Sequence, residues 1–181
     1  MRGFEDVLDF WFVEHGPDHW FARTDEFDAA LAARFRETHQ VVARGEAWAW
    51  RQEPRGRLAE IIVLDQFSRQ LHRGGADAFA QDKMALVLAQ EAVALGVHEA
   101  IGKPAGMFVL MPFMHAESVV IQEEGLRLFE AYGEPEQVDY MAKHRDTIAQ
   151  FGRFPFRNAA LGRQSTAEEV AYMHEHQERG F

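Results

Sequence analysis

The sequence predicts an all-α protein. Three observations carry that expectation. Apolar residues recur at helical spacing along nearly the whole chain, and residues that start or stop helices sit at the ends of those runs. Neither strand-like alternation nor a turn dipeptide between β-branched runs is present. Seven to nine helices joined by short links are expected to pair as antiparallel helical hairpins. With no long linker, residues 1–181 read as a single helical domain.

The elements follow in order. Phe4, Val7, Leu8, Trp11 and Phe12 form one apolar stripe, and Gly16-Pro17 ends it. Thr24 or Asp25 caps a second helix, whose stripe of Phe27, Leu31, Phe35, Thr38 and Val42 stops at Gly45. Pro54 suits the first turn of a third, running to about Leu71. After Gly74-Gly75, Asp77 is expected to cap an alanine-rich helix reaching Leu95. A further apolar helix is expected from Pro104 to Met114, and another from Glu117 or Ser118 to Tyr132-Gly133. Pro135 opens a helix to about Phe151, and Ser165-Thr166-Ala167-Glu168 reads as the capping box of a last short one. No tetratricopeptide signature repeats at a period of 34, so any stacking of the hairpins is irregular.

Composition narrows the function classes. Hydrophobic residues are 47% and charged residues 27%, the balance of a globular chain. There is no cysteine, hence neither a disulfide framework nor a thiolate metal site. Two acids in Met1-Arg2-Gly3-Phe4-Glu5-Asp6 stand where a signal peptide needs apolar residues. The longest strongly apolar run, Met107 to Met114, is far short of the roughly 20 residues of a membrane span. A net charge of −10 argues against general binding to phosphate backbones. The expectation is a soluble cytoplasmic protein with no nucleic-acid or membrane partner.

Charges interrupt two apolar stripes. On a helical wheel, Asp65, Arg69 and His72 fall within about 40° of Leu58, in line with Ile61 and Ile62. Val63, Leu64, Phe67 and Leu71 form a second apolar stripe opposite, so this helix is expected to be central and its charges enclosed. Arg145 likewise sits amid Met141, Ala142, Ile148 and Ala149. An enclosed charge needs a partner. Asp65 and Arg69, four apart, can pair within the helix, and Glu117 is a candidate for Arg145. Residues 143–163 carry five Lys or Arg against one Asp, a local charge of +4 that suits a carboxylate or phosphate. Two readings stay open: an internal ion-pair network that fixes packing, and a polar cleft that binds or transforms something.

At these same segments the chain resembles the bacterial domain-of-unknown-function family nine-two-four. The resemblance covers nearly the whole chain. It begins at Val7-Leu8-Asp9-Phe10-Trp11-Phe12, Trp20-Phe21 and Pro54-Arg55-Gly56-Arg57-Leu58-Ala59. It is densest at Leu64-Asp65-Gln66-Phe67-Ser68-Arg69, Met114-His115-Ala116-Glu117-Ser118, His144-Arg145 and Arg153-Phe154-Pro155 through Asn158. Leu161-Gly162-Arg163, Ser165-Thr166 and Gly180-Phe181 also fit. The resemblance implies an irregular tetratricopeptide-like array and a shared site at those motifs, and supplies no activity. Three positions depart from the pattern: Ser68 replaces an expected proline, which would straighten the helix, Phe156 an expected histidine, and His72 an aromatic.

Three functions compete. The first is a binding module whose inter-helix cleft receives a small anionic metabolite or an acidic peptide segment. Arg69, Arg145, Arg153 and Arg157 would hold the anion, oriented by Asp65 and Glu117, with Gln66, Ser118, His144 and Asn158 contributing from the shared motifs. The second is a hydrolase-like enzyme with His115 as general base and Asp65 or Glu117 orienting it. No nucleophile motif supports it; metal assistance through His115, Glu117 and Asp65 is conceivable, but the spacing of a zinc-binding H-E-x-x-H is missing, so no metal site is expected. The third is an adaptor whose buried charges only fix packing. No Gly-rich phosphate loop or dinucleotide fingerprint is present, so no cofactor is expected. Trp11, Phe12, Trp20 and Phe21 read as core or as the contact of a homo-oligomer.

Overall fold

The computed structural model describes residues 1–21 and 24–176. Helices and turns make up these residues, with no strand among them, so the fold is all-α. The described residues divide into two compact units. The first comprises Met1–Arg73 and Asp77–Pro112; the second comprises Gly74–Ala76 and the described residues from Phe113 onward.

In the first unit, α1 (Phe4–Leu8) continues as a π-helical segment, Asp9–Glu14, and Pro17 opens the short α2 (Pro17–Trp20). The turn expected at Gly16-Pro17 is therefore followed by helix, because proline at the first helical position loses no hydrogen bond. Thr24 accepts from the Phe27 N–H and caps α3 (Asp25–Ala43), whose buried residues are those of the expected stripe plus His39. A 3₁₀ segment, Trp48–Gln52, leads into α4 (Pro54–Ile62). Gly56 lets this helix approach so closely that a Cβ there would lie 2.1 Å from the Trp50 carbonyl oxygen.

The third expected helix keeps its limits but not its regularity. α4 passes into a π-helical segment, Val63–Phe67, and then α5 (Ser68–Leu71). Every residue from Leu58 to Ser68 is buried, as two apolar stripes require of a central helix. A π turn leaves carbonyls short of helical donors, and here side chains supply them. The Ser68 hydroxyl donates to the Leu64 carbonyl at 2.6 Å, and Arg69 Nη1 donates to that of Asp65 at 2.7 Å. Serine in place of proline thus does not straighten the helix; its hydroxyl serves the π turn. In the segment after α1 the Trp20 indole plays the same part, donating to the Trp11 carbonyl at 2.6 Å.

Asp77 does not cap the alanine-rich helix. It lies in a 3₁₀ segment, Ala76–Phe79, and α6 (Asp82–Ala94) begins after Gln81. Gly96, in the left-handed region at φ +67°, starts the unanticipated α7 (Val97–Ile101). Turns occupy Pro104, and α8 (Met107–Met114) begins three residues later than expected. No described helix is long and apolar enough to cross a membrane.

The second unit is built on α9 (Val119–Tyr132) and α10 (Pro135–Phe151), an antiparallel hairpin linked by Gly133-Glu134. Gly125 of α9 admits Met141, whose Cε would be 2.7 Å from an added Cβ. Gly152 ends α10 in the left-handed region, and a 3₁₀ turn, Pro155–Arg157, follows. The last helix, α11 (Ala167–Glu175), is capped one residue later than expected: Thr166 and Glu169, not Ser165 and Glu168, form the reciprocal box.

Candidate functional site

The residues singled out by sequence fall into both units, and each group is built locally. In the first, the π turn buries Asp65 (1% exposed) and Gln66. Gln66 Nε2 donates to Asp65 Oδ2 at 2.5 Å and contacts Met111 Sδ at 3.7 Å. The expected pair forms, with Arg69 Nη1 3.1 Å from Asp65 Oδ1. Sequence reasoning missed the second anion. Asp82, at the start of α6, takes both ends of the same guanidinium at 2.9 and 3.1 Å. Burial opposes the charge on Arg69, and the two aspartates more than offset it, raising its pKa.

In the second unit the corner after α10 gathers the largest set. Arg153 donates to Glu169 Oε1 through Nε (2.6 Å) and to Oε2 through Nη2 (2.9 Å). Glu169 Oε2 also accepts from the Thr166 N–H at 2.7 Å and from Asn158 Nδ2 at 3.3 Å. The Arg153 hydrogen bond, opposed by burial and aided by Thr166, holds the Glu169 carboxyl down at about 2. No spacing rule pointed to Glu169, although its place as the third residue of a capped helix was a usable signal.

Glu117 is engaged on both oxygens. Arg163 Nη1 donates to Oε2 at 2.7 Å, Nη2 donates to Oε1 at 2.9 Å, and the Phe154 N–H reaches Oε1 at 2.8 Å. Burial pushes this carboxyl up. The Arg163 and Phe154 hydrogen bonds, with the charges of Arg163 and Arg157, reverse that and leave it below the usual carboxylate range. Glu117 is accordingly not the partner of Arg145. That guanidinium lies on a more open face and pairs with Glu123 (3.2 Å) and Asp146 (2.7 Å).

The remaining candidates complete this unit. Arg157 is 3% exposed and stands over the Phe154 ring, 4.5 Å from its centroid. Buried His144 sets Nδ1 2.8 Å from the Tyr140 carbonyl oxygen and meets Phe154 edge-on at 5.6 Å. Ser118 is the N-cap residue of α9, without a side-chain cap bond, and His115 lies in the junction before it. Gln122 holds that junction, its Nε2 donating to the carbonyls of Met114 and Ala116, both at 2.8 Å.

Several buried polar atoms of this unit lack a hydrogen-bond partner, Gln122 Oε1 among them. Arg163 Nε, a donor, and Asn158 Oδ1, an acceptor, are both buried without a hydrogen-bond partner. Nearly all buried polar atoms in folded proteins are satisfied by protein, water or ligand. Among the described residues, no group of three His, Cys, Asp or Glu side chains is placed to hold a metal ion.

The motifs at these positions match a family described as "Bacterial protein of unknown function (DUF924)" over residues 7–177. The chain belongs to this family. The DUF924 match takes in every candidate named above, whereas Gly180-Phe181 lie outside the described residues. No curated protein matches the chain. Among solved structures, it is similar to a protein of unknown function, ATU0120, from Agrobacterium tumefaciens. Identity is 36%, with 95% of this chain and 97% of that chain covered, at a TM-score of 0.91.

Proposed function

We propose that this DUF924 protein is a non-enzymatic binding module whose second unit receives a small anionic ligand, a carboxylate or phosphate, or the acidic side chain of a peptide. The observation that carries the reading is the pair of unsatisfied buried atoms within an arginine-rich corner. Arg153 and Arg163 are each locked by a glutamate, so their planar forks are held in place before any ligand arrives. Arg163 Nε then offers a donor to an anion, and Asn158 Oδ1 an acceptor for a neighbouring hydroxyl or amine of the same ligand. Glu117, held ionised and taken by Arg163 and Phe154, favours binding over general-base chemistry. The hairpin of α9 and α10 is read as one unit of a tetratricopeptide-like array. We further propose a cytoplasmic location, which cell fractionation tests.

A thermal-shift series with inorganic phosphate and small mono- and dicarboxylates tests the site. At least one anion should raise the melting temperature of the native protein. Arg163→Lys, which keeps a charge for Glu117 but loses Nε, should melt within a few degrees of it and lose the shift. If no anion in the series shifts the native protein, or Arg163→Lys responds equally, the reading fails. A second reading rests on the same clamps: Arg153–Glu169 and Arg163–Glu117 are internal pairs that only fix packing. Loss of fold in every conservative variant of these four residues would favour it.

A further inference from the structure

The first unit has a concavity that the anion site does not use. A groove of about 340 Å³, open to solvent on one side, runs between the π segment after α1, the short α2 and the turn at Pro104. Phe12, Val13, Trp20 and Pro104 give it apolar walls, and Asp9 and Arg55 stand among the lining residues. We infer that this groove docks a basic amphipathic peptide segment of a partner protein, with an apolar side chain in the groove and Lys or Arg beside it facing Asp9 and Asp18.

Rigidity is the first argument. Phe12 and Trp20 meet edge-on at 5.6 Å, and both rest on Phe108 at 5.5 and 4.9 Å. Trp20 is tied again by its indole bond to the Trp11 carbonyl. An aromatic wall that does not reorganise costs little ordering when a partner side chain packs on it. Asp9, Phe12 and Val13 all lie on the π segment, a departure from α geometry frequent at functional positions.

Apolar surface continues from the groove wall outward. Val13 is 78% exposed, and Phe21, whose ring centre is 6.4 Å from that of Trp20, is 64% exposed. Small-molecule sites enclose most of their ligand. A half-open groove flanked by exposed apolar side chains instead fits one anchor of a longer segment.

Charge selects the class of partner. Arg55 is taken up by Glu5 through bonds of 3.1 and 2.6 Å. Asp9 and Asp18 are both exposed, and neither carboxylate has a hydrogen bond or ion pair among the described residues, although the charge of Asp9 also acts on Arg55. A net charge of −10 steers basic segments toward the surface and opposes a second copy of the same chain.

The test uses a fluorescently labelled peptide of about twelve residues in which leucine and tryptophan alternate with lysine, and its counterpart with glutamate for lysine. The lysine peptide should bind with a Kd on the order of 1–10 μM, and the glutamate peptide at least about tenfold more weakly. Val13→Glu and Asp9→Lys, both at exposed positions, should each weaken the lysine peptide about tenfold with an unchanged melting temperature. Hydrogen exchange should slow within residues 8–20 and 104–105. Absence of binding, equal binding by both variants, or protection confined to other segments overturns the proposal. So does dimer formation abolished by Val13→Glu, which assigns the groove to a second copy. Protection of the same residues by a small apolar amine, without any by the peptide, likewise overturns it.

Discussion

Arg153 and Glu169 face each other through two hydrogen bonds, at 2.6 and 2.9 Å, and the carboxylate they share is almost fully enclosed. The pair joins the corner after α10 to the first turn of α11. Because the Glu169 pKa is lowered to about 2, the folded state binds its proton less readily than the unfolded chain. Its contribution is complete above the ordinary value of 4.5 and is lost as pH falls from there toward about 2. Glu169→Gln should lower the urea midpoint at pH 7 and flatten its fall across that acid window.

His39 predicts a second, higher acid window. Its Nε2 lies 2.8 Å from the Ser68 hydroxyl in the core of the first unit. Burial, then the neighbouring His72, lower its pKa from 6.5 to about 4. The unfolded chain therefore binds the proton first, and stability falls as pH drops from about 6.5 to about 4. In His39→Gln the urea midpoint should vary less over that range than in the native protein.

Arg163, which meets Glu117, and Arg145, for which Glu117 was the expected partner, behave differently. Arg163→Ala leaves a half-buried carboxylate without its fork and should cost about 2–3 kcal/mol. Arg145→Ala breaks pairs with exposed Glu123 and Asp146 and should cost less than about 1 kcal/mol. Chemical denaturation of both variants separates the two. Equal losses would contradict the assignment.

Arg69 answers two aspartates, so its removal leaves two enclosed acids. Arg69→Gln should destabilise the protein by about 3–5 kcal/mol. In Arg69→Gln carrying Asp82→Asn as well, part of that loss should return, which a double-mutant cycle measures.

Gly56 and Gly125 separate backbone from side-chain crowding. Gly56→Ala sets a Cβ against the Trp50 carbonyl oxygen, which cannot move alone, and should cost about 3 kcal/mol. Gly125→Ala meets the flexible end of Met141 and should cost about 1–2 kcal/mol. Calorimetry should rank them in that order.

Legibility varied with sequence distance. The Asp65–Arg69 pair was readable because residues four apart share a helix face. The bond from Arg163 to Glu117 spans 46 residues and that from Arg69 to Asp82 spans 13, so no periodicity announces either. The π segments were invisible for another reason. An apolar pattern read at 3.6 residues per turn tolerates one widened turn without losing its stripe, and the carbonyls that mark it are backbone atoms. The capping box of α11 was misplaced by a residue because Ser165/Glu168 and Thr166/Glu169 satisfy the same pattern.

By itself the sequence determined the all-α class, the family, the limits of α3 and α10, and the enclosure of the central helix from Leu58 to Ser68. Those follow from local rules: caps act within three residues, and a stripe needs only the helical period. Tertiary structure alone decided which carboxylate each arginine would meet, and it left Arg163 Nε and Asn158 Oδ1 buried without partners. A guanidinium is satisfied by whichever acceptor packing brings within about 3 Å, and packing, unlike periodicity, is a property of the whole chain.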